Sequence, residues 1–102
     1  MKRSETRRLD KEWSLIVRTR DGFKCQVCGS VKHNNNAHHI LPKTITEFRH
    51  ELNNGICLCA YCHHWNKYLA PHQNALGWIR WLHKNKLNTY QYILEKQKCL
   101  EN

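Results

Sequence analysis

Four of the six cysteines in this 102-residue chain fall into two C-x-x-C pairs, Cys25/Cys28 and Cys59/Cys62. A two-residue gap lets one tight turn present two thiolates to a single ion at about 2.3 Å, and two such turns complete a tetrahedron. The alternative is a disulfide scaffold. Near the basic N-terminus the longest apolar run is Leu15-Ile16-Val17 beside Trp13, far short of a signal h-region or a membrane span. A soluble protein of a reducing, cytoplasmic compartment is therefore expected, where paired knuckles hold structural Zn²⁺. Cys57 lies two residues before Cys59 and is a competing ligand in principle, but C-x-C makes a poorer knuckle. Cys99, near the chain end, reads as a small apolar filler or a thiol.

Thirty residues separate Cys28 from Cys59, more than a common zinc ribbon needs, and the excess is rich in imidazole and amide side chains. Ala37-His38-His39-Ile40 comes first, then Asn54-Gly55-Ile56-Cys57-Leu58-Cys59, then Cys62-His63-His64. An imidazole titrates near neutrality, so it serves as a proton acceptor or a metal ligand. A DNA-binding zinc finger using His38 or His39 with Cys25 and Cys28 is disfavoured, because nine residues rather than about twelve separate Cys28 from His38. A zinc deaminase is strongly disfavoured by the missing H-x-E and P-C-x-x-C signatures.

From roughly Arg18 to Lys67 these residues resemble the HNH nuclease family, whose ββα-metal motif carries a His on a strand, an Asn in the turn and a further His at the helix start. The matching positions are His39, Asn54 and His63, with the zinc knuckles that many members carry. The resemblance implies a metal-dependent endonuclease that hydrolyses DNA phosphodiesters. In it, His39 is the general base that activates water. His38 and His63 would hold a catalytic divalent metal that stabilises the phosphate and the leaving oxygen. Asn54 would have a structural part, its amide bridging backbone across the turn to fix the loop that carries His39. Many members have Asp at the position of His38. Imidazole ligands suit Mn²⁺, Co²⁺, Ni²⁺ or Zn²⁺ better than Mg²⁺, unless Glu47 or Glu51 adds a carboxylate. Stand-alone nucleases of this size resemble those of phage and bacterial genomes. The alternative reading is a catalytically silent zinc-ribbon module that binds nucleic acid.

The elements that must position these groups follow from pattern and composition. The length allows one modest core, hence a single domain over 1–102. Residues 1–7 read as a mobile basic arm. Leu9, Trp13, Ile16 and Val17 recur at helical spacing up to Arg20, and Asp21-Gly22 supplies a stop. Short strands are expected over Ala37–Leu41 and Ile56–Leu58, around a loop from Thr44 to Asn53. A short helix is expected over His63–Leu69, then two C-terminal helices within 75–102, the second capped by Asn88-Thr89. The fold class expected is α+β, a ββα-metal motif clamped by a four-cysteine zinc site with flanking helices. Trp13, Trp65, Trp78 and Trp81 are expected mainly in the core. His33, His50, His72 and His83 are expected to be solvated or locally bonded.

Seventeen Lys and Arg against eight Asp and Glu leave a formal charge of +9 and a pI near 9.5. A polyanion is the natural partner, and DNA is expected, with no membrane. Arg18, Arg20, Lys24, Lys32, Lys43, His64 and Lys67 flank the histidine-rich segment as the candidate phosphate-tracking surface.

Overall fold

The computed structural model describes residues 1–31 and 35–102, so the expectations for Lys32 and His33 fall outside the described residues. The chain divides into two compact units, Met1–Cys59 and Ala60–Asn102. The architecture is mixed: helices with one small two-stranded antiparallel sheet, compatible with the α+β class.

The first unit opens with α1, Arg3–Arg20. The expected mobile arm is thus largely helical from its third residue. No Gly or Pro interrupts Arg3 to Leu9, and a helix anchored further along extends outward at little cost when its residues have fair propensity. An Arg8–Glu12 pair at 2.9 Å, both ends well exposed, adds an i,i+4 contact of a few tenths of a kcal/mol. The anchor is the i,i+4 pair Trp13 and Val17, both buried.

These two side chains lie against a hairpin of β1 (Asn36–His39) and β2 (Gly55–Leu58), paired so that Ala37 faces Cys57, His38 faces Ile56 and His39 faces Gly55. Gly55 makes the close packing feasible. A methyl group there would stand 2.6 Å from the Trp13 ring and 2.7 Å from Val17, too near for any other residue without a shift. All four residues of β2 are buried, which explains a run of small and apolar side chains instead of alternation. The first strand is displaced from the expected Ala37–Leu41. It stops at His39 because Ile40 and Leu41 turn their N–H groups to the Asn54 carbonyl and side-chain oxygen. Between the strands the chain makes two short 3₁₀ turns, Thr46–Phe48 and Leu52–Asn54.

In the second unit the expected helix over His63–Leu69 is a single π-helical turn, Tyr61–Trp65. Successive turns follow, with Ala70 N–H donating to Asn66 and Asn74 N–H donating to Ala70. Helix α2 spans Ala75–Asn85, with the Asn74 side chain accepting from Gly77 N–H as its cap. Helix α3 spans Leu87–Glu101 and begins before the expected Asn88-Thr89 cap. Trp78, Leu82 and Ile93 form the apolar seam of this helix pair, with Ala70 also buried. No helix among the described residues is long and apolar enough to cross a membrane.

Candidate functional site

His39 ends β1, and its ring lies flat on Trp13 of α1, centroids 3.8 Å apart and planes 8° apart. Its Nε2 is 2.9 Å from the Arg49 carbonyl oxygen. A carbonyl can only accept, so the neutral ring carries its proton on Nε2 and keeps its lone pair at Nδ1. Burial lowers the pKa of this imidazole, against the opposing pull of the Arg49 carbonyl, so the neutral form is favoured at physiological pH.

Three successive loop residues are tied down to hold that carbonyl. The Arg49 guanidinium makes two bonds to the Asp10 carboxylate, at 2.9 and 2.7 Å. His50 Nε2 lies 2.7 Å from the same carboxylate. Trp13 Nε1–H donates to the Glu51 carbonyl at 2.8 Å. The Arg49 bond, joined by His50, draws the Asp10 carboxyl down to about 2 despite some desolvation, and Asp10 in turn raises Arg49. His50 is thus bonded to a residue far away in sequence, which local reading could not supply.

Asn54, fully buried, closes the other side of the loop. Its Oδ1 accepts from Leu41 N–H at 2.7 Å, and its Nδ2 donates to the Leu41 and Phe48 carbonyls, both at 3.1 Å. The amide therefore bridges backbone on both sides of the turn.

The first knuckle turns through Cys25–Ser30: Gly29 N–H donates to the Cys25 carbonyl and Cys25 N–H to the Ser30 carbonyl. Among the described residues, Cys25, Cys28, Cys59 and Cys62 bring their sulfur atoms within 4.8 Å of one another. The Cys28 and Cys59 sulfurs are 3.7 Å apart, too far for a disulfide. A tetrahedron of bonds about 2.3 Å long has edges of about 3.8 Å, so this spacing and the thiol chemistry fit a metal ion such as zinc. Burial alone would raise the Cys25 thiol, but hydrogen bonds from the Cys28, Cys59 and Val27 backbone outweigh it and bring it to about 7, as a prospective thiolate requires. Cys57 behaves oppositely. Burial first, then Asp21 and Cys25, push it up to about 11, and it stands outside the sulfur cluster as a packed thiol opposite Ala37.

Within the second unit, His63 and His72 approach at 3.1 Å between Nε2 atoms, and the His64 ring lies 4.0 Å from that of His63. Burial, aided by the neighbouring His64 and His72 rings, lowers His63 to about 4 and keeps its nitrogens available as neutral donors of lone pairs. Sequence reading missed the approach of His72 to His63, since His72 is expected there to be solvated or locally bonded. Its only signal was a histidine next to Pro71 in the turn-rich segment after the knuckle. Glu47, a carboxylate considered for the metal site, takes a bond from Thr46.

The expected phosphate-tracking residues separate into two kinds. Lys24, Lys43, His64 and Lys67 are exposed. Arg20 is engaged within the hairpin region, its guanidinium bonded to Asp21 and to the Leu52 and Gly55 carbonyls. Arg18 donates from Nε to the Ser14 carbonyl and lies over the Phe23 ring. Arg20, at the helix end, lies beside the Leu52 and Gly55 carbonyls, whereas Arg18 bonds back to a carbonyl of its own helix. Trp65, expected in the core, is 67% exposed because the π turn is too short to bury it.

Comparison with protein-family models, with curated proteins and with solved structures finds no match to this chain.

Proposed function

We propose that this protein is an HNH-type endonuclease that hydrolyses DNA phosphodiesters with a ββα-metal site, its fold supported by one zinc ion on Cys25, Cys28, Cys59 and Cys62. The observation that carries the reading is the setting of His39. A general base needs a neutral, oriented lone pair, and the bond from Nε2 to the Arg49 carbonyl leaves that lone pair at Nδ1, with Trp13 fixing the ring plane. In the reaction His39 Nδ1 takes the proton of the attacking water. The new phosphorus–oxygen bond forms as the bond to the leaving oxygen breaks, and that oxygen takes up a proton. Asn54 and Asp10 act on the loop that orients His39, not on the substrate.

His38 and His63, the pair implied by the family resemblance, would hold a divalent ion of intermediate softness, to which imidazole donors are suited. Such an ion, when bound, would supply positive charge to the phosphate and leaving oxygens. His72, whose Nε2 lies 3.1 Å from that of His63, is added here to that pair.

The test is plasmid nicking by zinc-loaded protein with EDTA, Mg²⁺, Mn²⁺, Co²⁺ or Ni²⁺ at matched pH and salt. Nicking is expected to stop with EDTA and to be faster with Mn²⁺, Co²⁺ or Ni²⁺ than with Mg²⁺, and His38→Asp should shift that order toward Mg²⁺. DNA binding without nicking under any of these ions would leave a silent zinc-bearing binding module in place of the nuclease.

A further inference from the structure

We propose that the second unit carries a docking surface for single-stranded DNA, formed where α2 meets the Tyr68 segment and the start of α3. The proposal rests on the reading that the chain works on DNA, and adds a use for the C-terminal helices, which the family resemblance leaves without one. An open cleft of about 880 Å³ lies there, with Tyr68, Arg80, Trp81, His83, Lys84 and Tyr90 among the residues around it. Every cation in that set faces water, and between Glu51 and Glu95 the sequence contains no carboxylate at all. The field over the cleft is therefore positive with no acidic residue of its own segment to offset it.

Charge alone would serve any polyanion, and the aromatic groups narrow the choice. Tyr68 is 70% exposed, and its position is set by the backbone. A methyl group at Gly77 would stand only 2.0 Å from the Tyr68 carbonyl oxygen, so the chain at Tyr68 lies directly on α2 at the one residue without a side chain. The Lys67 ammonium sits 5.2 Å from the Tyr68 ring centre. Trp81 is half-buried and stacked on the buried Trp78, centroids 5.5 Å apart and planes 7° apart, which gives it a rigid backing. Tyr90 meets the His83 ring edge-on at 4.8 Å. Held aromatic faces beside Arg and Lys are what unpaired bases and their phosphates use. A paired duplex would present only its phosphates to such a surface, and an acidic peptide would have no use for the ring faces.

The experiment measures binding of zinc-loaded full-length protein to a fluorescein-labelled thymidine 20-mer by anisotropy, without added divalent ion, across a salt series. Arg80→Gln/Lys84→Gln is expected to weaken binding by about ten-fold near 0.1 M salt and to flatten the salt slope by about 1.4, the value for two phosphate contacts on a single strand. Tyr68→Ala is expected to weaken the 20-mer by about five-fold or more and a labelled duplex by much less. The control Lys2→Ala/Lys98→Ala removes the same charge from exposed sites elsewhere and should change binding less than two-fold. The proposal is overturned if the Arg80/Lys84 variant binds like the parent, if the control loses as much, if Tyr68→Ala weakens strand and duplex alike, or if poly-glutamate competes as well as unlabelled oligonucleotide. Thermal transitions of all variants check that they are folded. Nicking scored on the same preparations separates the two readings: loss of 20-mer affinity in a protein that never nicks retains this surface without the nuclease. Nicking with unchanged 20-mer affinity in the variants retains the nuclease without this surface.

Discussion

The two units are held by different kinds of bond. In Met1–Cys59, side chains reach across long stretches of sequence to fix backbone: Asp10 binds Arg49, Trp13 binds the Glu51 carbonyl, Arg20 binds Leu52 and Gly55, and Asn54 binds Leu41. In Ala60–Asn102 the side-chain ties to backbone include short-range ones, Asn74 to Gly77, Asn66 to Tyr68 and Asn85 to Trp81. There an apolar seam of Trp78, Leu82 and Ile93 supplies the cohesion. A seam of this kind is non-directional and leaves aromatic and basic groups on the surface. Long-range polar ties are directional and define one orientation for a ring such as His39. The first arrangement suits chemistry that depends on orientation. The second suits contacts that tolerate variation in what they hold.

The comparison breaks most sharply at the cysteines. Removing zinc with a chelator, or Cys25→Ser, is expected to abolish the cooperative thermal transition, because a domain of this size has only about 5–15 kcal/mol of stability and a structural zinc contributes a comparable amount. Amide exchange should show the greatest loss of protection in the first unit, whose hairpin and turns have little regular structure of their own. Purified protein without zinc, or a Cys25→Ser variant with the parent's full transition, would refute this.

His39→Ala should reduce nicking by about 10²-fold or more while zinc content and DNA affinity stay near parental values. Undiminished nicking would move the base elsewhere, His64 being next in line.

Trp13→Phe keeps an aromatic face for His39 but removes the Nε1–H bond to Glu51. The expected cost is about 1 kcal/mol, seen as a melting point about 4–8 °C lower, together with slower nicking. An unchanged melting point would mean that the Glu51 carbonyl needs no such donor.

The smallest effect concerns acid. Asp10 is held at about 2 against an ordinary 3.8, so its partners stabilise the fold fully above about pH 4, and that contribution disappears as pH falls through 2. Asp10→Asn should therefore be less stable than the parent at neutral pH, and the gap should narrow between pH 4 and pH 2. A constant difference over that window would exclude Asp10 as the titrating group.

Much of the chain could be read from local pattern. The two C-x-x-C spacings, the helix through Trp13 and Val17, the strands on either side of the loop and the C-terminal helices all follow from short-range rules of turn, period and cap, which act within a few residues. Local pattern read Asn54-Gly55 only as a turn, and the bridging part of Asn54 came from the family resemblance; its bonds to the Leu41 and Phe48 backbone agree with that part. Where local rules were weakest, boundaries moved: α1 starts at Arg3, and the segment after the second knuckle makes a π turn in place of a helix.

Composition and spacing determined the kinds of group available: four thiols paired for one ion, several imidazoles, and an excess of cations. Tertiary structure alone decided which of them meet. Asp10 finds Arg49 and His50, Trp13 finds His39 because Gly55 admits the helix, Arg20 turns inward, and His72 joins His63. The physical reason is that periodicity reports which face of an element is buried, while the partner on that face depends on chain closure over tens of residues. Such closure leaves no mark in the local order of side chains.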